Sequence, residues 1–64
     1  MEMKFYAYKP TKEGKEPLGS MNCILFELKT IRGAKARAKR NFKDNFKLFS
    51  YTNFYDDKTF KEIL

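Results

Sequence analysis

TIRGAKARAKRNFK, from Thr30 to Lys43, is the stretch whose apolar residues recur at helical spacing. On a wheel of 3.6 residues per turn, Ile31, Ala34, Ala38 and Phe42 fall on one stripe, which predicts an amphipathic helix over 30–43. Thr30 is a fitting N-cap. The NFKDN that follows Arg40 offers two Asn and an Asp to accept local backbone bonds at the exit. Alanines in the stripe predict close approach to the supporting surface. Arg32, Lys35, Arg37, Lys39, Arg40 and Lys43 occupy most of the opposite arc, with no acid among them.

The flanks read as strands. Before the helix, NCILFELK (22–29) alternates Ile24, Phe26 and Leu28 with Leu25, Glu27 and Lys29. The nearly continuous apolar run from Cys23 to Phe26 predicts a central strand. Earlier still, Met3, Phe5 and Ala7 alternate with Lys4, Tyr6 and Tyr8, a second period-two pattern closed by Pro10. Between them, residues 9–21 hold both prolines and two of the three glycines, which predicts a long exposed loop; the alternative is a loop that orders against a partner, with Leu18 and Met21 as its apolar contacts. After the helix, FKLFSYTNFY (46–55) is rich in β-formers. Asp56-Asp57-Lys58 makes a polar turn, and TFKEIL (59–64) returns to form a hairpin. Phe46 and Leu48 share a face with Ser50, and Phe49 shares the other with Tyr51, unless a bulge intervenes.

The expected fold class is therefore α+β, a single domain over 1–64 in β-β-α-β-β order. One basic helix packs on a small, mostly antiparallel sheet. The expected core is Met3, Phe5, Ile24, Phe26, Leu28, Ile31, Ala34, Ala38, Phe42 and Leu48, helped by Phe46, Phe60 and Ile63. With 64 residues, such a domain hides only roughly 60% of its unfolded surface, and its stability is expected to be marginal.

Composition narrows the chemistry. There is no histidine and one cysteine, so no Ser-His or Cys-His pair and no internal disulfide can form. Cys23 reads as a small apolar strand residue, and a lone thiol fits a cytoplasmic setting. Gly14, Gly19 and Gly33 are too scattered for a phosphate loop. Asp56 and Asp57 read as turn formers. No catalytic residue, metal site or cofactor is expected, and the chain is not expected to be an enzyme. No apolar run approaches the length of a membrane span, and the N-terminus lacks the apolar region of a signal peptide.

Charge is where the chain departs from neutrality. The formal net charge is +6, yet residues 1–29 sum to +1 and residues 44–64 to −1, so the helix alone makes the chain basic. Lys35–Lys39 and Lys39–Lys43 are like-charge i,i+4 pairs, each costing roughly 0.2–0.5 kcal/mol. Arg32 and Lys35 lie where the helix dipole prefers anions, at a cost of about 0.3–1 kcal/mol each. Only Arg40–Asp44 compensates. A layout that opposes its own helix points to an outside demand, and the six basic residues are the candidate nucleic-acid-binding set.

The sheet face away from the helix supplies a second candidate set. Tyr6, Tyr8, Leu25, Phe49 and Tyr51 would project there beside Lys4 and Lys47, suited to base stacking or to a protein interface. The signatures of RNA-recognition and KH domains are absent. In its small size and its richness in Lys, Phe, Tyr and Asn, the chain resembles the accessory proteins of bacteriophages. That resemblance implies a binder or inhibitor of a host or defence complex. The expected partners are nucleic acid or a nucleoprotein complex. The alternatives are a host protein, or a second copy of the chain joined through the aromatic face.

Overall fold

The computed structural model describes residues 2–15 and 22–63. Its elements are β1 (Met3–Tyr8), β2 (Cys23–Leu28), α1 (Ile31–Phe42), β3 (Lys47–Tyr51), a 3-10 turn (Asp57–Thr59) and β4 (Lys61–Glu62). The expected α+β class and β-β-α-β-β order hold.

The four strands form one antiparallel sheet in the order β2-β1-β3-β4. This corrects the expectation that Cys23–Leu28 is central: β2 is an edge, and β1 and β3 take the interior. The reason lies in the crossover. Both β2 and β3 run antiparallel to β1, so they are parallel to each other, and α1 carries the chain over β1 between them. The apolar run of β2 is spent on one face, where Ile24, Phe26 and Leu28 pack toward the helix and leave Leu25 53% exposed.

Register assigns the faces. Phe5 pairs with Phe26 and Ser50, and Ala7 with Ile24 and Leu48, so these residues share the helix side. No bulge interrupts β3, and Phe46, Leu48 and Ser50 take one face as the alternation predicts. Phe5, Ala7, Phe26, Ala34, Ala38 and Leu48 form the buried cluster, flanked by Ile24, Leu28, Phe42, Phe46 and Ile63. Ala34 and Ala38 have no exposed surface, which lets α1 lie close on the sheet. Thr30 caps α1 as expected, its Oγ1 accepting from Gly33 N at 3.0 Å.

Three expected core members depart. Met3, on the first residue of β1, and Ile31, in the first turn of α1, are exposed because the layers end there. Phe60 belongs to the other face. Phe49 pairs with Glu62, so Phe60 shares the parity of Glu62, while Ile63 falls on the helix side and donates its N–H to Leu48 O at 2.9 Å. The returning strand is only Lys61–Glu62, because the 3-10 turn consumes the residues before it.

The first half of the 9–21 loop is a defined turn. Lys9 N–H donates to Asn22 O at 2.8 Å, extending the β1–β2 ladder by one step. Thr11 N–H donates to Lys15 O at 2.8 Å, and Lys15 N–H donates to Thr11 Oγ1 at 3.1 Å. Gly14 supplies the positive φ of 78° that this turn requires. Leu18 and Met21 lie outside the described residues.

Candidate functional site

All six basic residues of the helical stretch are exposed. None forms an ion pair or hydrogen bond through its side chain among the described residues, where the single ion pair is Lys47–Glu62 at 3.6 Å on the opposite face. The expected Arg40–Asp44 pair does not form. The helix stops at Phe42, and Lys43 adopts φ 61° and ψ −118°, which carries Asp44 out of helical register. The first turn of α1 holds no acid, whereas Lys39 and Arg40 sit in the last turn, where the dipole favours cations.

Arg37 differs from the other five. Its guanidinium carbon lies 5.6 Å from the Phe26 ring centroid, at the seam between α1 and β2. That contact is worth about 0.5–1 kcal/mol in an exposed setting and fixes the side chain along the helix edge.

The aromatic residues also lie where register predicts, opposite the helix. Tyr6 pairs with Leu25 and Phe49, Lys4 with Glu27 and Tyr51, and Tyr8 with Cys23 and Lys47. Their exposure was not legible from alternation alone. Tyr6 is only 8% exposed, because the segment between β3 and β4 folds back across it, and Tyr8, 9% exposed, packs against Tyr6 and Phe49. Phe54 and Phe60 meet Tyr6 at centroid distances of 6.5 and 6.0 Å, and Tyr8 stacks on Phe49 at 5.9 Å. Phe54 and Phe60 leave the Tyr6 ring little open surface on which a base could stack flat. Phe49 and Tyr51 remain half-buried, and Leu25 is exposed.

Side chains of the segment itself hold it in place. Thr59 Oγ1 lies 2.9 Å from both Asn53 O and Asp56 O and accepts from Asn53 N at 3.2 Å. Asn53 Oδ1 accepts from Tyr55 N at 3.0 Å, and Asp56 Oδ1 from Lys58 N at 3.0 Å, the turn-forming role expected of Asp56. Phe54, Asp57 and Phe60, which the sequence reading left out of the site, join Tyr6, Tyr8 and Phe49 around an open cavity of about 410 Å³. The one available signal for Phe60 was its two-residue spacing from Glu62.

No protein-family model, curated protein or solved structure matches the chain. Among the described residues, no helix is long and apolar enough to cross a membrane.

Proposed function

We propose that the chain is a non-enzymatic binding module that engages nucleic acid, or a nucleoprotein complex, through the exposed basic face of α1. The observation that supports this reading is the set of six exposed cations, all without an acidic partner among the described residues. A face that is merely solvated gains nothing from like-charge neighbours, whereas a row of phosphates offsets their repulsion and releases counterions. Ala36, exposed between the basic residues, keeps this face low there, which suits contact with a backbone rather than reading of bases.

The test is affinity for duplex and single-stranded probes across a salt series. Six phosphate contacts on a duplex give a slope of log K against log salt of about −5. Reversing Arg32, Lys39 and Arg40 together to Glu is expected to abolish binding with the fold retained, since Arg37 keeps its place over Phe26. Absence of any mobility shift at low salt would defeat the reading.

One observation favours a second reading, a protein-interaction module such as a phage-type inhibitor of a host or defence complex, or a homodimer. Tyr55 is 94% exposed and stands edge-on to Phe54 at 5.8 Å, an aromatic tip next to a residue that lines the cavity. This reading predicts association that survives high salt and fails in Tyr55→Ala.

A further inference from the structure

The cavity opposite the helix combines two features that favour one kind of ligand. Among the described residues, five of its six lining residues are aromatic: Tyr6, Tyr8, Phe49, Phe54 and Phe60. The rings are not parallel. Tyr8 and Phe49 are inclined by 16°, whereas Phe60 stands at 88° and Phe54 at 74° to Tyr6, so the lining presents ring faces and edges in several directions. The sixth lining residue is Asp57, exposed and with no side-chain hydrogen bond or ion pair among the described residues. Its neighbour Asp56 is already engaged by Lys58 N.

Among the described residues, no lysine or arginine lines the cavity, although the chain carries +6. Lys47, on the same face, is paired with Glu62 at 3.6 Å. The ring quadrupoles and the free carboxylate both favour positive charge. An anionic ligand would meet Asp57, and a neutral apolar one would desolvate that carboxylate without compensation. A volume of about 410 Å³ is within the range of small-molecule sites.

We infer that this cavity binds a quaternary ammonium group, with the rings of Tyr6, Tyr8, Phe49, Phe54 and Phe60 around the cation and Asp57 at its rim. A methylated ammonium fits better than a bare one because it is weakly hydrated and covers its charge with methyl groups that pack on rings. The site does not depend on nucleic-acid binding, since α1 lies on the other side of the sheet.

The experiment is an NMR titration of the full chain with choline and, in parallel, with 3,3-dimethyl-1-butanol, its uncharged carbon isostere. Choline is expected to give saturable shifts of the Tyr6, Tyr8, Phe49, Phe54 and Phe60 ring signals, with the isostere binding at least about tenfold more weakly. Asp57→Asn, an exposed change, and Phe54→Leu are each expected to weaken choline about five- to tenfold with the amide spectrum otherwise retained. A trimethyllysine peptide that binds more tightly than choline would assign the group to a protein chain, and the reverse order to a free small molecule. Equal binding of choline and its isostere would overturn the inference, as would choline binding unchanged by both variants, or no saturable shift in the millimolar range.

Discussion

Tyr51, at the end of β3, lies stacked on Phe60 across the loop, ring centroids 4.9 Å apart and planes inclined by 14°. The stack ties the returning chain to the sheet and shields the phenol. Burial pushes the Tyr51 pKa above its ordinary 10.0, and the negative charge of Glu27, on the far side of Lys4 in the same cross-strand row, pushes it the same way.

This raised pKa makes stability fall in alkali. The folded chain keeps the Tyr51 proton where the unfolded chain has begun to release it. The contribution is therefore complete below the unfolded value and is lost as pH rises through the folded one. The wild-type denaturation midpoint is expected to decline as pH rises past the ordinary 10.0 more steeply than that of Tyr51→Phe, which has no proton to lose. Parallel declines in urea titrations would show that the shielding has no such consequence.

Thr59→Val tests the clamp on the loop. The hydroxyl meets Asn53 O, Asp56 O and Asn53 N, and valine keeps the shape without these bonds. The expected cost is about 1 kcal/mol, because the partners regain water once the loop loosens. The telling readout is faster hydrogen exchange confined to residues 53–60, with α1 unchanged.

Lys43 occupies the φ and ψ of the first central position of a type II′ turn, where glycine is the usual residue. Lys43→Gly is expected to raise stability by about 1 kcal/mol through relief of this conformation. If α1 contacts phosphates as proposed, the same variant lowers the salt slope of binding by about 1. Chemical denaturation and a salt series separate the two effects.

Close approach of the helix is tested by Ala38→Leu. With no exposed surface at Ala38 there is no room for three further carbons, and the cost is about 1–3 kcal/mol. The reverse change at the sheet, Leu48→Ala, costs about 2–5 kcal/mol and leaves little of a small domain folded. An Ala38→Leu protein as stable as wild type would mean that the helix can lift away.

By itself, the sequence determined the class of fold, the order of elements, the faces of β1, β2 and β3 and the place of the surplus charge. Period two in Met3–Tyr8 and Lys47–Tyr51, and the Ile31, Ala34, Ala38 and Phe42 stripe, are local signals that each residue's own spacing carries. Tertiary structure alone decided which strand is central, because strand order follows from where the crossover lands and not from how apolar a strand is. It alone covered Tyr6, since a period names the side a residue faces but not what the chain later lays over that side. Phe54 and Phe60 do so through a turn whose bonds converge on one threonine hydroxyl, and the same fold-back makes the cavity with Asp57 at its rim.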